Sequence, residues 1–228
     1  MADRCPTVLT ISRQLGSGGA FIGRAVAARL GMQYLDREIL ERAARESGAD
    51  EREIESGEER TAGPWQALLR SFTFGPPEAP AVAPVLPTAY AEDVFRLEST
   101  IIRDLAERSD AVIVGRAGFH ILAAHPGRVA VLVHADRNWR VRRVRETYPA
   151  ADPGKVEALI DESDRRRAHF VRAVTGRPTL EAVLLEHDLA IKTSATGLEL
   201  AVEMVARLVE ERMRECGEPA PRSADRQA

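Results

Sequence analysis

Short apolar segments alternate with longer amphipathic segments along most of this chain. The short ones are rich in Val, Ile and Leu and are typical of strands covered on both faces of a parallel sheet: residues 8–11, Gln33–Leu35, Ala111–Val114, Val129–His134 and Asp188–Lys192. The longer ones predict helices at residues 20–30, Arg37–Ser47, Asp93–Ser109, Arg137–Tyr148, Lys155–Val174 and Leu198–Cys216. This order predicts an α/β domain with five parallel strands, helices on both faces and right-handed crossovers.

One long interruption separates the second predicted strand from the third. Asp50–Pro87 is highly charged in its first part, and five prolines in its second part exclude regular helix or an interior strand there. Two interpretations stay open: a mobile flap over the carboxyl edge of the sheet, or a variable surface insertion with no role. Gly217–Ala228 is predicted to be a disordered tail, which leaves residues 1–216 as a single domain.

Composition removes several classes of function. The net charge of −3 gives no bulk attraction to nucleic acid or to an acidic membrane, and no apolar run approaches membrane-spanning length. Cys5 and Cys216 have no metal-ligand spacing, so we expect unpaired thiols in a soluble, cytoplasmic protein. Lys155 and Lys192 are the only lysines among 32 basic residues, so any cation that binds phosphate is expected to be arginine.

The segment after the first strand carries the clearest chemical signal. A glycine-rich turn leads directly into an amphipathic helix, and such a turn can aim main-chain N–H groups at a phosphate group. It departs from the full phosphate-binding pattern G-x-x-x-x-G-K-[ST], because the lysine position holds glycine. Arg13 can supply the missing charge from the strand side, or it can be an ordinary surface arginine. The predicted phosphate-binding residues are Gly16, Ser17, Gly18, Gly19 and Ala20.

Charged residues follow two other predicted strands, where ligands bind in open α/β sheets. Asp36 and Arg37 come after the second strand, and Asp36 is either a ligand-facing carboxylate or the N-cap of the next helix. Arg116 follows the third strand after Gly115. An arginine directly after a buried strand is costly unless an anion meets it.

An arginine-rich run, Asp161–Arg172, lies on the helix predicted after the fourth strand and its helix. In one interpretation it is a solvated face whose arginines pair with Asp161 and Asp164 at i,i+3 and i,i+4 spacing. In the other it is a lid that brings arginines to a transferring phosphoryl group, with Asp164 holding Arg167 while the lid is open.

Four stretches together resemble the cytidylate kinase-like family, a branch of the P-loop nucleoside monophosphate kinases. They are ISRQLGSGGAFIGRAVAARLGMQYLDREIL, VIVGRAGFHIL, DRRRAHFVRAVTG and HDLAIKTSATGLELAVE, in the order found in the family. The resemblance implies a three-layer P-loop kinase-like fold with strand order 2-3-1-4-5. It also implies a monophosphate-binding insertion near residues 48–92 and a small lid near residues 152–176.

By the same resemblance, the glycine loop cradles the phosphates of ATP, and Asp36, Arg37, Arg116 and Asp164 lie on the acceptor side. Arg167 completes the lid pattern Asp-x-x-Arg-Ala and is expected, with Arg13, to be catalytic. True cytidylate kinases carry lysine and threonine in the loop and Asp where this chain has Ala117.

The implied activity is phosphoryl transfer from ATP to a CMP- or dCMP-type nucleotide or a related small acceptor. Mg²⁺ is expected to be held by phosphates and water rather than by a protein metal site. The expected binding partners are small nucleotides, and neither nucleic acid nor a membrane is expected to bind. We expect the protein to be a monomer or a weak dimer. The alternative is a degenerate nucleotide-binding module without turnover.

Overall fold

The computed structural model describes residues 5–36, 88–147, 153–176 and 181–217. Within these ranges five strands form one parallel sheet in the order β2-β3-β1-β4-β5, as the sequence predicts. The strands are β1 (Val8–Arg13), β2 (Gln33–Asp36), β3 (Ala111–Val114), β4 (Arg128–His134) and β5 (Leu189–Lys192).

The helices, numbered along the described residues, connect these strands. They are α1 (Gly19–Leu30), α2 (Thr88–Arg108), α3 (Gly118–Ile121), α4 (Arg137–Thr147), α5 (Val156–Thr175), α6 (Thr193–Thr196) and α7 (Leu198–Gly217), with 3₁₀ turns at Pro153–Lys155 and Glu181–Glu186. Helix α2 begins five residues before its predicted start, because the clear apolar spacing used for that prediction begins later than the helix does. The predicted helix Arg37–Ser47, most of the insertion and the predicted tail after Gly217 lie outside the described residues.

Alternating residues of the central strands build two cores, one on each face of the sheet. Leu9 and Ile11 face α1 and α7, whereas Val8 faces α2. All three side chains are buried, as expected for a parallel sheet covered on both faces. Because β1 is central, the turn that follows it lies in the middle of the carboxyl edge of the sheet.

Helix α5 packs beside α4 at one end of the molecule. Val156 and Ile160 of α5 are buried with Val141 and Val144 of α4 and Leu15 of the glycine loop. The helix that is one candidate for a lid therefore shares an apolar cluster with that loop. No helix in the described part of the chain is long and apolar enough to cross a membrane.

A buried threonine joins the end of the sheet to the glycine loop. Thr193 follows β5 directly, and its hydroxyl lies 2.8 Å from the main-chain oxygen of Ser17 and 3.2 Å from that of His134. The side chain is fully buried, so without this donor the buried carbonyl group of Ser17 would lose a partner that water cannot replace.

We expect Thr193→Val to lower the free energy of unfolding by about 1–3 kcal/mol, because it keeps the shape and removes the donor. Thr100→Val is the matched control, since its hydroxyl bonds to Arg96 on an exposed helix surface. Urea unfolding measures both. Equal losses for the two variants would contradict a specific role for the Thr193 hydroxyl.

Candidate active site

The turn from β1 to α1 is held in a conformation that needs glycine. Gly16 and Gly18 have φ of +77° and +86°, in the left-handed region that side chains rarely adopt. A Cβ on Gly16 would lie 2.7 Å from the main-chain oxygen of Arg140 in α4, and one on Gly18 would collide with Leu198. The loop is thus packed between α4 and the start of α7.

Hydrogen bonds fold the loop back onto the ends of the strands. The main-chain N–H of Ser17 donates to the oxygen of Gln14, and the buried Ser17 hydroxyl lies 2.8 Å from that oxygen and 3.1 Å from the oxygen of Val133. Ser17 therefore holds the loop in shape through both its main chain and its side chain.

The first turn of α1 is arranged to receive an anion. Its N-cap, Gly18, makes no side-chain capping bond, and the first turn contains no acidic residue. Residues 15–20 are buried, so the N–H groups at the start of the helix have little access to water. Main-chain N–H groups and the positive end of the helix dipole both favour a phosphate group at this point.

The loop departs from the phosphate-binding pattern at two positions, and these positions touch each other. With Gly18 as the second glycine of G-x-x-x-x-G-K, Arg13 occupies the first glycine position and Gly19 the lysine position. A Cβ on Gly19 would lie 2.6 Å from Cβ of Arg13, and a Cβ on Gly115 would collide with the Arg13 guanidinium. The Arg13 side chain therefore runs from β1 across the start of α1 to the turn after β3.

Arg13 differs from its neighbouring arginines in its electrostatic surroundings. Within the described residues Arg13 makes no ion pair, its buried Nε has no hydrogen-bond acceptor, and the side chain is half-buried. By contrast, Arg24 pairs with Asp36 at 3.1 Å and Arg140 pairs with Asp164 at 2.7 Å. A half-buried guanidinium without a carboxylate partner is costly, and a bound anion would offset that cost.

The turn after β3 has an unusual backbone. Gly115, Arg116 and Ala117 have φ of +85°, +53° and +52°, so three successive residues are left-handed. For residues other than glycine this conformation costs about 1–3 kcal/mol each, and such residues cluster at functional sites. The turn brings the main chain of Gly115 against Arg13 and turns Arg116 toward α2.

Arg116 is held between α2 and α5. Its Nε donates to the Glu98 carboxylate at 2.8 Å, its Nη2 contacts the same carboxylate oxygen, and its guanidinium lies 5.0 Å from the ring centroid of Phe170. Phe170 in turn meets Phe95 edge-on at 5.7 Å. Glu98 is 0% exposed, so the anion that the sequence requires for Arg116 is supplied here by the protein itself.

Asp36 lies at the end of β2, where the sequence places it, and pairs with Arg24 of α1. The Arg24 guanidinium lies 4.8 Å from the Tyr34 ring. Burial, with a smaller contribution from the Asp36 charge, holds the pKa of the Tyr34 hydroxyl far above its ordinary value, so it stays neutral. Whether Asp36 also caps a helix is not tested, because Arg37 lies outside the described residues.

The salt-bridge partners predicted for Asp161 and Asp164 are wrong, although the charges of Asp161 and Arg165 do attract each other at i,i+4 spacing. Asp164 bonds to Arg140 of α4 rather than being held for Arg167, and Asp161 bonds to Arg137 of α4. The reason is that α4 packs alongside α5 and presents its own arginines to these carboxylates. Arg165 and Arg166 pair instead with Glu162, at i,i+3 and i,i+4 spacing.

These bonds favour the ionised form of Asp161 and Glu162. Hydrogen bonding to Arg137 lowers the pKa of Asp161, and hydrogen bonding to Arg165 and Arg166 lowers that of Glu162. Arg167 is half-buried, whereas Arg165 is 71% exposed on another face of the helix. The two arginines therefore differ in their surroundings, as a lid with one functional arginine would require.

A cavity of about 550 Å³ adjoins the loop on the side away from Arg116. Its walls come from α4 and from the segment that joins α6 to α7, with Trp139, Arg142, Arg143, Gly197 and Leu198 among its lining residues. Leu198 and Arg143 are also the nearest side chains to the Cβ position of Gly18, which places the cavity next to the first turn of α1. Its volume is in the range of small-molecule sites.

Three features of this site were not predicted from the sequence: Glu98, Phe170 and the arginines of α4. The segment RNWRVRRVRET carries five arginines, and no local signal separates Arg140 and Arg143, which border the glycine loop, from the other three. Glu98 is one of several acidic residues in an amphipathic helix. Its partner Arg116 lies in a different element, so the local sequence does not mark it.

No group of three or more His, Cys, Asp or Glu side chains in the described ranges is arranged to hold a metal ion. Asp136, which follows β4, is 2.7 Å from Lys192 and accepts a hydrogen bond from Ser194. These contacts lower its pKa, the Lys192 bond first. This carboxylate serves the contact between the ends of β4 and β5.

The strand order and the glycine loop define an α/β protein with a P-loop kinase-like fold. The model of the cytidylate kinase-like family matches residues 8–195, and the chain belongs to that family. Among curated proteins, no sequence matches the chain significantly.

Solved structures of low sequence identity superpose on this chain with different scores. An uncharacterized protein from Eubacterium ventriosum superposes with a TM-score of 0.63 at 16% identity, over 90% of this chain and 98% of that one. Shikimate kinase from Acinetobacter baumannii in complex with shikimate gives 0.46 at 14% identity, over 92% and 96% of the two chains. A gluconokinase from Sinorhizobium meliloti gives 0.44 at 16% identity, over 93% and 98%.

The packing of Gly16 yields a test of the loop geometry. Gly16→Ala combines left-handed strain with a collision against the Arg140 main chain, whereas Gly31→Ala at φ +67° has the strain and nothing within 4 Å. We expect Gly16→Ala to lose about 1–3 kcal/mol more free energy of unfolding than Gly31→Ala, which is the usual cost of overpacking. Chemical denaturation compares the two, and equal losses would show that α4 does not press against the loop.

Proposed function

We propose that this protein transfers the γ-phosphoryl group of ATP to a nucleoside monophosphate of the CMP or dCMP type, or to a related small acceptor. The observation that carries the proposal is the half-buried Arg13 guanidinium beside an uncapped, buried helix N-terminus. Among the described residues Arg13 has no carboxylate partner, and the N–H groups at the start of α1 have little access to water. Both lack an anionic hydrogen-bond acceptor there, and a polyphosphate can supply one to both.

The donor nucleotide would place its phosphates on residues 16–20 and its base and ribose in the adjoining cavity. The cavity supports this orientation because it opens beside Gly18 and offers both arginines and apolar surface. Phe21, in the first turn of α1, is 48% exposed and lies 5.7 Å from the Arg143 guanidinium. An exposed aromatic ring next to an arginine is a suitable stacking surface for a planar base.

The acceptor would lie across the ends of β2 and β3, beyond Arg13. Asp36 and Arg116 border that region, and in this structure both are engaged with protein partners, Arg24 and Glu98. A phosphate group on the acceptor can compete with Glu98 for Arg116, because an arginine fork binds phosphate as well as carboxylate. Arg37, which we also assign to the acceptor side, lies outside the described residues.

In the transfer itself, an acceptor phosphate oxygen attacks the γ-phosphorus, the bond to the β–γ bridging oxygen breaks, and ADP leaves. Arg13 neutralises charge on the transferring group from the strand side, and Arg167 does so from the lid. Mg²⁺ would enter with the nucleotide and offset charge on its phosphates, since the described residues offer no cluster of ligands for it.

A second candidate function is nucleotide binding without turnover, in a sensing or scaffolding module. The Glu98 contact favours it, since Arg116 already has an anion in a fully buried position. A thermal-shift panel of nucleoside mono- and triphosphates with Mg²⁺ separates the candidates in part. The enzyme requires stabilisation by both ATP and a monophosphate, whereas the module requires only one class of ligand.

The first functional prediction concerns Arg13. Arg13→Ala should weaken binding of ATP by about 10-fold or more, which corresponds to the loss of a charged hydrogen bond. Binding of the monophosphate should change much less, because the guanidinium serves the β- and γ-phosphates. Calorimetric titration measures both, with Arg165→Ala as the control for loss of an arginine from an exposed position. Equal weakening of both ligands, or of neither, would return Arg13 to a structural role.

The second concerns the lid. An arginine that acts only on the transferring group stabilises the transition state and adds little to ground-state binding. Arg167→Ala should therefore lower kcat by about 10³-fold while nucleotide affinity is nearly unchanged.

Arg165→Ala is the matched control on the same helix and should be nearly silent, because Arg165 is exposed and bonded only locally to Glu162. Steady-state kinetics with ATP and CMP compares the two variants. If they behave alike, α5 is a generic charged helix and supplies no catalytic arginine.

A further inference from the structure

The glycine loop departs from the phosphate-binding pattern at positions 13 and 19, and these two departures depend on each other sterically. Gly19 lacks the lysine, and Arg13 replaces the first glycine, five residues before Gly18. In the folded protein the Cβ of Arg13 occupies the space that a Cβ on Gly19 would need, at a separation of 2.6 Å. Real Cβ atoms do not approach so closely, and both are fixed to the backbone, so neither can rotate away.

The far end of Arg13 lies against a second glycine, where the contact is with the tip of a flexible side chain rather than with a fixed Cβ. Its guanidinium lies where a Cβ on Gly115 would be, and Gly115 has φ of +85°. The Arg13 side chain thus occupies space that is open because positions 19 and 115 are glycine, the first at the start of α1 and the second after β3. This space ends between the glycine loop and the Arg116 turn.

We infer that Arg13, Gly19 and Gly115 form one interlocked unit in which an arginine from the strand replaces the loop lysine. Lysine at position 19 and any side chain at position 13 exclude each other. The unit sets the Arg13 guanidinium on the β3 side of the loop, between the proposed donor and acceptor sites. Gly19 and Gly115 are therefore positioning residues that act through Arg13. The role of Arg13 in place of a loop lysine rests on the proposed function, whereas the steric interlock between positions 13 and 19 does not.

The interlock makes a prediction about stability that needs no ligand. Gly19 is helical, so alanine there should stabilise α1 unless something blocks its Cβ. In the native background and with Arg13→Ala, Cβ of residue 13 is present, and Gly19→Ala should lower Tm by at least about 3 °C. With Arg13→Gly the obstacle is gone and the nearest remaining atom is Cγ2 of Ile11 at 3.4 Å, an ordinary contact. There Gly19→Ala should leave Tm unchanged or raise it.

Arg13→Ala and Arg13→Gly both remove the guanidinium, so the comparison isolates a single carbon atom. Gly31→Ala is the control in all three backgrounds and should shift Tm equally, because nothing lies within 4 Å of its Cβ position. A Gly19→Ala effect that is the same in all three backgrounds would overturn the interlock.

The functional half is tested with ATP and Mg²⁺ as the probe. Arg13→Gly should lose affinity by about 10-fold or more, and the double variant Arg13→Gly with Gly19→Lys, which restores the full glycine–lysine pattern, should regain most of it. If the native protein binds ATP and the double variant regains nothing, arginine is not a replacement for lysine. If the stability pattern holds but the native protein binds no nucleotide, the proposed function fails and the interlock stands as a packing device.

Discussion

The close packing of the glycine loop against α4 and α7 is the constraint on which the rest of the site depends. The loop main chain passes within contact of the Arg140 carbonyl on one side and of Leu198 on the other. Thr193 fixes the oxygen of Ser17 from the end of β5. The loop is therefore packed as a part of the core, held by neighbouring elements on several sides.

Around this fixed loop the arginines fall into two groups. Arg24, Arg116 and Arg140 are held by carboxylates of the protein, which orients them and compensates their charge. Arg13 is held by shape alone, in a path between two glycines. Orientation without charge compensation is the arrangement expected where an anionic ligand completes the site, and it distinguishes Arg13 from arginines that only brace the structure.

The fold could be predicted from the sequence because its signals are local. The apolar runs predicted Ala111–Val114 without error and Val129–His134 within one residue, since strands buried on both faces leave little other pattern. The glycine loop and its helix could be predicted because their signals also lie within one short segment. Contacts between distant residues were not predicted: Arg116 with Glu98, and Asp164 with Arg140 rather than its helical neighbour Arg167. Which residues pair in these contacts depends on how the helices pack against one another in three dimensions. The steric relation of Arg13 to Gly19 is likewise visible only in the structure.

Phosphorus NMR of the native protein with ATP, Mg²⁺ and CMP would detect the proposed phosphoryl transfer itself, because it follows donor and acceptor together. We expect ADP and CDP to appear in equal amounts and ATP to be stable when CMP is omitted. If one member of a panel of nucleoside monophosphates and other small acceptors replaces CMP, the transfer stands with a different acceptor. Binding of ATP without product for every acceptor in the panel, or the same slow release of inorganic phosphate with and without acceptor, would contradict it.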